Sequence, residues 1–487
     1  MHFTFRVALA GSLLAAASTI QAQGAALQPP AEPGWWRSHA NSTGFTDALA
    51  SLGLSTDDLA RSPSDGADQA NNLADPLHWL RRTLRIYSAE DSGVFHIPVT
   101  ESHANGRDRN TTQGKNSHFA LPYTLDRGES MVLKVPADLP AGVGCAAAVG
   151  TGPSLLHETG AQGIRPGTTT FVAPAKGVVI VTCQDPSKDM PFYGHDVEVT
   201  VLSGGAPMPM YVFGVTPASA WKAIATSPNV MGTVVTFSGR TRSSIAAPKA
   251  ARAKDADIGR LMREQLVTSV VYDVVNGYDG TNLFALPTQG LVAANYDKCC
   301  SSAGGLGVVN IGFPGRPSAS TSWGEWHEFG HQNQQGWGWG GLGEVTVNIY
   351  SLAACQLFRG DVPPKNCHGQ LAYLERRPDA VRHFIDSGQQ YTFSAGGLNE
   401  FKKLGLFAQI DFSYPKVMPH LGKTYRTAFN YGDNGGIFRT SQQKIDWFVI
   451  EASRAAGRDL SLFFDRWGLV YGAAARQAIA SMHLPEP

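Results

Sequence analysis

Residues 326–352 read WHEFGHQNQQGWGWGGLGEVTVNIYSL, and this stretch decides how the rest of the chain is interpreted. On a helix, residues four apart lie on the same face, so His327 and His331 can present two imidazole nitrogens to one Zn²⁺ ion. Glu328 lies beside the first histidine and can take a proton from a zinc-bound water without binding the metal itself. The pattern therefore predicts a catalytic zinc site with one ion per chain.

A catalytic zinc needs a third protein ligand and keeps its fourth position for water. Glu344 follows His331 after twelve intervening residues and is the best candidate. Glycines at 336, 338, 340, 341 and 343 cannot continue a stable helix, so the chain can reverse and restart as a second helix over Glu344–Leu357. A third histidine ligand is excluded, because it would need glycine at 334 and histidine at 337, where the chain has glutamine and tryptophan.

The length and charge of the chain narrow the classes of protein to which it can belong. Its 487 residues exceed what one hydrophobic core usually organises, so two or three domains are expected. The chain has 40 Lys and Arg residues together and 40 Asp and Glu residues together. The resulting net charge of zero gives no overall electrostatic reason to expect nucleic acid as a partner. The hydrophobic fraction of 43% argues against disorder.

Residues 1–22 are predicted to be a signal peptide. Arg6 supplies positive charge, Val7–Ala17 form a short apolar core, and cleavage is plausible after Ala22 or Gly24. The apolar run is too short for the ~20 residues that span a bilayer, although an uncleaved anchor is the alternative. We therefore expect a protein that is secreted, periplasmic or held at the cell surface, with no integral membrane segment after cleavage.

The 6 cysteines of an exported chain favour disulfides over free thiols. Cys145 and Cys183 flank one strand-rich region and are natural partners. The connectivity of the others stays open, and they are Cys299, Cys300, Cys355 and Cys367.

Changes in sequence pattern suggest three parts after the signal peptide. Residues 23–90 look like an accessory segment or linker with short helices, one of them over Asp75–Tyr87. Residues 91–215 carry short alternating or apolar runs that predict strands of a β-sandwich. These runs are Met131–Val135, Val178–Cys183, Val197–Leu202 and Met210–Phe213.

Residues 216–487 show a longer, helical periodicity and contain the proposed zinc site. Helices are predicted over Asp257–Asn276, Ser441–Ala456 and Leu460–Trp467, and the glycines at 277, 457 and 468 are expected to end them. The predicted fold is therefore α+β and multi-domain, with an N-terminal β-sandwich followed by a mainly helical catalytic domain.

The central stretch resembles the M60-like, enhancin-related peptidases. The matching runs are HEFGH at 327–331 and GLGEVTVNIYSL at 341–352, with weaker matches in GFPGRP at 312–317 and LSLFFDRWGL at 460–469. The resemblance covers about residues 90–480 and implies a β-sandwich followed by a zincin-like domain of the HExxH and downstream-glutamate type. It implies His327, His331 and Glu344 as zinc ligands and Glu328 as general base, and it leaves the role of Asn348 open.

Members of this family are associated with mucins and other O-glycosylated host proteins, so the resemblance implies a glycoprotein substrate. Trp337 and Trp339 in the glycine-rich turn are candidate substrate contacts, because an aromatic face can stack on a sugar ring. The alternative is that they are packing residues. Tyr431 is a candidate oxyanion donor or a loop anchor.

The sequence is compatible with three functions. The first is a secreted zinc endopeptidase that acts on extracellular glycoproteins, with mucin-type O-glycoproteins as the expected substrates. The second is a glycoprotein-binding or adhesion protein with an inactive or latent peptidase fold. The third is a general zinc protease with no glycan requirement. The intact set of Glu328, two histidines and Glu344 favours a peptidase, and the preference for glycoproteins rests on family analogy.

Overall fold

The structure, a computed structural model, describes sixteen stretches of the chain. They are residues 45–53, 76–87, 93–101, 117–151, 155, 157–187, 192, 194–279, 285–296, 302–304, 308–310, 323–359, 366–371, 399–428, 438 and 440–487. The predicted signal peptide at 1–22, Cys299, Cys300, Tyr431 and the GFPGRP run lie outside the described residues. No helix in the described stretches is long and apolar enough to cross a membrane.

A nine-stranded sheet occupies the N-terminal part of the described chain, in the order β5-β4-β7-β1-β8-β3-β6, with β2 paired to β7 and β9 paired to β2. Its strands are β1 (Val94–Glu101), β2 (Phe119–Leu125), β3 (Ser130–Val135), β4 (Gly144–Thr151), β5 (His157–Ile164), β6 (Gly167–Val172), β7 (Gly177–Asp185), β8 (Asp196–Ser203) and β9 (Ala206–Pro207). The strands predicted at Met131–Val135, Val178–Cys183 and Val197–Leu202 therefore form here, whereas the strand predicted at Met210–Phe213 forms over Tyr211–Val212 in a second sheet.

Alternating side chains explain why these segments pair as strands. In β3, Met131, Leu133 and Val135 are buried while Lys134 is exposed, as expected for a strand with one face on a core. The disulfide predicted between Cys145 and Cys183 is confirmed, and it joins directly opposed positions of β4 and β7. The apolar faces of these strands share one hydrophobic core.

A second sheet of six strands follows within the described residues, in the order β10-β11-β12-β13-β15-β14. Its strands are β10 (Tyr211–Val212), β11 (Thr233–Phe237), β12 (Thr241–Ala246), β13 (Val292–Asn295), β14 (Ser302–Gly304) and β15 (Val308–Asn310). The prediction of a mainly helical C-terminal part missed most of this sheet. Its strands are short, and β11 and β13 are buried along their whole length, so they show no alternation for a pattern to detect.

Helices make up most of the rest of the described chain. They are α1 (Phe45–Ser51), α2 (Pro76–Tyr87), α3 (Trp221–Ala225), α4 (Ala247–Arg252), α5 (Ile258–Val275), α6 (Trp323–His331), α7 (Gly343–Arg359), α8 (Glu400–Ser413), α9 (Val417–Ala428), α10 (Ser441–Ala456), α11 (Ser461–Arg466) and α12 (Ala473–Ser481). The described fold is thus mixed α+β, as predicted.

Helix α5 begins and ends where the sequence pattern placed it. The Asp257 side chain caps it by accepting a hydrogen bond from the backbone N–H of Arg260. Gly277 follows its last turn with a φ of 65°, and a Cβ there would lie 2.1 Å from the carbonyl oxygen of Pro419. Only glycine fits this position without displacing α9.

Helix α2 contributes side chains to both hydrophobic cores. Trp79 and Leu80 belong to the core formed mainly by the helices, whereas Ile86 and Tyr87 belong to the core of the larger sheet. The Tyr87 hydroxyl also donates to the carbonyl oxygen of Ala120 on β2. This helix, which the sequence suggested was part of an accessory segment, therefore joins the two cores.

A buried ion pair beside Trp79 of α2 offers a test of how this helix joins the two cores. Arg240 and Asp273 are joined at 2.9 Å, with side chains only 3% and 2% exposed, and the Arg240 guanidinium lies 4.1 Å from the centre of the Trp79 ring. Replacing Arg240 by Met leaves Asp273 buried without its cation, which should lower the free energy of unfolding by about 3–5 kcal/mol in urea titrations.

The control replaces Lys176, which pairs with Asp126 where both side chains are more than half exposed. Lys176→Met removes one cation and installs the same new side chain. It should lower the free energy of unfolding by less than about 1 kcal/mol. Equal decreases in the free energy of unfolding of the two variants would contradict the structural role given to Arg240.

Candidate metal centre

Helix α6 presents the two motif histidines on the same side. The ring centres of His327 and His331 are 4.7 Å apart, and their Nε2 atoms are separated by 3.1 Å. Their side chains are 17% and 14% exposed, so the pair is largely enclosed by protein. This is the arrangement that the four-residue spacing predicted.

The glycine-rich segment after α6 reverses the chain and is held by α10. The Lys444 ammonium group donates to the carbonyl oxygens of Gly336 at 2.6 Å and Gly338 at 3.0 Å. The backbone N–H of Gly340 donates to the Ser441 hydroxyl at 3.3 Å. These contacts fix the turn from which α7 restarts at Gly343.

The first turn of α7 brings the predicted third ligand to the histidines. Glu344 Oε2 lies 2.9 Å from His327 Nε2 and 3.5 Å from His331 Nε2. The glutamate side chain is 65% exposed, so the cluster opens to solvent on the glutamate side. The three residues that the sequence named as zinc ligands therefore converge.

The close approach of the two helices depends on Gly330, between the histidines. A Cβ at this position would lie 2.9 Å from Val347 Cγ2 and 3.1 Å from the Val347 carbonyl oxygen. Both distances are shorter than ordinary van der Waals contact. The absence of a side chain at 330 thus lets α6 pack directly against the turn of α7 that follows Glu344.

The measured separations fit a tetrahedral metal. Ligand atoms bound at about 2.0–2.1 Å in tetrahedral geometry are about 3.3 Å apart. The three observed separations are 3.1, 2.9 and 3.5 Å. Two imidazole nitrogens and one carboxylate oxygen are the donor set that suits Zn²⁺, and among the described residues this is the one His, Cys, Asp and Glu group with such convergence.

Glu328 lies next to the cluster in an environment suited to proton transfer. Its side chain is buried, and burial raises the pKa of its carboxyl above the usual value. The charge of His327 and a hydrogen bond with the Ala303 backbone oppose this rise in pKa. Ala303 belongs to the edge strand β14, a contact that the sequence analysis did not anticipate. Burial also lowers the pKa of His331, which favours the neutral imidazole that a metal requires.

Buried hydrogen bonds anchor α6 to the scaffold behind it. The Tyr272 hydroxyl of α5 donates to the carbonyl oxygen of Trp326 at 2.8 Å. The Tyr296 hydroxyl donates to Glu325 Oε1 at 2.7 Å, and burial raises the pKa of Glu325 to about 7. The Asn276 amide donates to the carbonyl oxygen of Asn333 at 2.9 Å. The helix that carries the histidines is therefore fixed on its buried side.

Trp337 and Trp339 are buried, with exposures of 6% and 3%. The Trp337 ring stacks on Phe448, and both tryptophans contact Phe407. Contact with a sugar stays a prediction for these two residues, and their burial favours the packing role that was the alternative.

The comparisons with known proteins agree with this geometry. The family model described as peptidase M60, enhancin and enhancin-like, matches residues 308–468. This span includes α6, the glycine-rich turn and α7. No curated protein matches the chain.

Solved structures share the fold over most of the chain. A functionally unknown conserved protein from Bacillus anthracis, crystallised as a mutant, is 21% identical with a TM-score of 0.64, covering 81% of this chain and 79% of that one. The catalytic module of the metalloprotease ZmpA from Clostridium perfringens is 15% identical with a TM-score of 0.61, covering 82% and 80%.

The M60 catalytic domain of ZmpC from Clostridium perfringens, solved in complex with the sialyl T antigen, is 14% identical with a TM-score of 0.61, covering 81% of this chain and 80% of that one. The resemblance to the M60-like peptidases that the sequence suggested is confirmed by the family match. At these identities the solved structures show a shared fold.

Metal analysis tests the ligand assignment. The wild-type protein should hold one zinc ion per chain after dialysis, and Glu328→Gln should hold the same amount, because its side chain is not assigned to the metal. His331→Ala and Glu344→Ala should each lose the ion, since each removes one of three protein ligands. Full zinc occupancy in Glu344→Ala would contradict the assignment of the third ligand.

Proposed function

We propose that this M60-like chain is a secreted zinc-dependent endopeptidase that hydrolyses peptide bonds in extracellular glycoproteins, with mucin-type O-glycoproteins as substrates. The observation that carries the proposal is the convergence of His327 Nε2, His331 Nε2 and Glu344 Oε2 beside the buried carboxyl of Glu328. Neither a purely binding protein nor a structural protein needs a general base next to a metal-binding group.

The residues divide into a group that binds the metal and one that moves a proton. His327, His331 and Glu344 would hold Zn²⁺. When bound there, the ion would lower the pKa of a water molecule toward about 7 and polarise the scissile carbonyl. The exposed side of Glu344 leaves the cluster accessible to a substrate.

Glu328 acts as the general base of the proposed reaction. Its carboxylate takes a proton from the attacking water and then delivers that proton to the leaving amine. The raised pKa of this carboxyl makes it a stronger base than an exposed glutamate, which helps the first transfer.

The glycoprotein preference is supported by the relatives that share the fold. The ZmpC domain was solved with the sialyl T antigen, and another metallopeptidase with a TM-score of 0.60 was solved with the Tn antigen. Both ligands are glycan antigens. By analogy, the substrate of this chain carries an O-linked glycan near the cleaved bond, with the analogy resting on fold rather than on residues of this site.

The proposal includes how the chain is organised and where it acts. Residues 1–22 direct export, residues 23–90 form an accessory segment that packs into both cores through α2, residues 91–215 form a β-sandwich domain and residues 216–487 form a zincin-like catalytic domain. Most residues of the hydrophobic core of the larger sheet fall within 91–215, which supports the third of these units, and Val235 and Phe237 of β11 also enter this core. The net charge of zero is consistent with a glycoprotein rather than nucleic acid as the partner.

Digestion of a mucin-type O-glycoprotein tests the proposed function. The purified mature chain should cleave it next to glycosylated Ser or Thr, as identified by mass spectrometry. Glu328→Gln should be slower by about 10²–10⁴-fold, the usual contribution of a positioned acid–base group. Treatment with a chelator should also abolish cleavage.

A second arm of this experiment separates the alternatives. The same O-glycoprotein substrate is digested after enzymatic removal of its O-glycans, and the rate of cleavage should then fall. Equal rates with and without glycans would instead indicate a general zinc protease. Binding of the glycoprotein without any cleavage, by a chain that holds one zinc ion, would indicate an adhesion protein or a latent enzyme.

A further inference from the structure

Two buried carboxamides contact the ring nitrogens of the histidines that face away from the metal cluster. Asn348 is 2% exposed and Gln334 is 4% exposed. The Oδ1 atom of Asn348 lies 2.9 Å from His327 Nδ1, and the Oε1 atom of Gln334 lies 3.1 Å from His331 Nδ1. Each proposed histidine ligand thus has its own amide partner.

The orientation of the Asn348 amide follows from its other neighbours. The Trp323 indole nitrogen lies 3.1 Å from the atom assigned as Oδ1, and an indole N–H can only donate. That atom must therefore be the oxygen. On the opposite side, Nδ2 donates to the carbonyl oxygen of Glu344 at 2.8 Å. His327 must then donate from Nδ1, because it faces an acceptor.

The Gln334 amide is oriented in the same way. Its Nε2 lies 2.7 Å from the carbonyl oxygen of Gly343, which can only accept, so this atom must be the nitrogen. The same nitrogen lies 2.6 Å from the Thr346 hydroxyl. The oxygen therefore faces His331, which must also donate from Nδ1.

A donor at Nδ1 leaves Nε2 of a neutral imidazole as a bare acceptor. Both Nε2 atoms point into the cluster, where they are 3.1 Å apart, and Glu344 Oε2 adds a third acceptor. Three acceptors at these distances repel one another, and a cation placed among them removes the repulsion. The amides therefore hold the histidines in the state that binds a metal.

Each amide also reaches the backbone that carries the third ligand. Asn348 donates to the carbonyl oxygen of Glu344 itself, and Gln334 donates to that of Gly343, one residue earlier. Each carboxamide thus bridges one histidine to the first turn of α7, so the position of the glutamate is tied to both histidines.

We propose that Asn348 and Gln334 are positioning residues of the metal centre, which set the Nδ1–H tautomer of His327 and His331 and hold Glu344 in register with them. This inference rests on the proposed function, because it assumes that the three residues bind zinc. Partners of this kind typically contribute 10–100-fold to metal affinity.

The test measures zinc affinity by competition with a chromophoric chelator, together with the melting temperature of the metal-free protein. Asn348→Leu and Gln334→Met keep the approximate volume and remove the hydrogen bonds, so each should weaken zinc binding by about 10–100-fold. The melting temperature reports whether a loss of affinity reflects damage to the fold. Ser351→Ala is the control, because Ser351 is buried on the same helix and its hydroxyl has no hydrogen-bond partner among the described residues, and the zinc affinity of this variant should match the wild type.

Asn348→Asp isolates the tautomer effect. This variant keeps an oxygen facing His327 and loses the donor to Glu344, whereas Asn348→Leu loses both. We expect Asn348→Asp to recover most of the affinity that Asn348→Leu loses. Wild-type affinity in Asn348→Leu and Gln334→Met would overturn the inference, whereas equal losses in the Asp and Leu variants would overturn the tautomer role of Asn348.

The outcomes also separate this inference from the proposed function. A wild-type protein that binds no zinc would refute the metallopeptidase assignment and the positioning role with it. A wild-type protein that binds zinc and cleaves glycoproteins, with amide variants that bind zinc equally well, would refute the positioning role alone.

Discussion

The close packing of α6 against α7 is the constraint on which the rest of the site depends. Because Gly330 has no side chain, the backbone of α6 can approach Val347 to a distance that a Cβ would not allow. This approach places Glu344, one turn earlier on α7, within 2.9 Å of His327. The turn held by Lys444 and the hydrogen bond from Tyr272 of α5 to α6 maintain the same juxtaposition. The disulfide between Cys355 and Cys367 further ties the end of α7 to the segment that follows it.

The convergence of the three proposed ligands could be predicted because it depends on local features. The spacing of His327 and His331 follows from helix periodicity, and the glycines after them specify a reversal before Glu344. The structure does bring these side chains together, while their binding of zinc stays a prediction. The disulfide between Cys145 and Cys183 could be inferred because the two cysteines flank one group of strands.

Other features could not be predicted because they depend on contacts between distant parts of the chain. The second sheet is built from short, fully buried strands such as Val292–Asn295, which carry no alternating pattern. The burial of Trp337 follows from Phe448, more than a hundred residues away. Likewise, the link between Ala303 and Glu328 requires a strand edge to meet a helix. Asn348 stood out in the sequence as part of the matching run, but its acceptor role could not be predicted because it also needs the indole of Trp323.

Anomalous diffraction at the zinc absorption edge, from crystals of the zinc-loaded protein, would locate the metal directly. We expect one strong peak per chain, bounded by His327 Nε2, His331 Nε2 and Glu344 Oε2, with Glu328 beside it and not bound to it. A peak at another site, or a peak on the two histidines with Glu344 turned away, would contradict this ligand assignment.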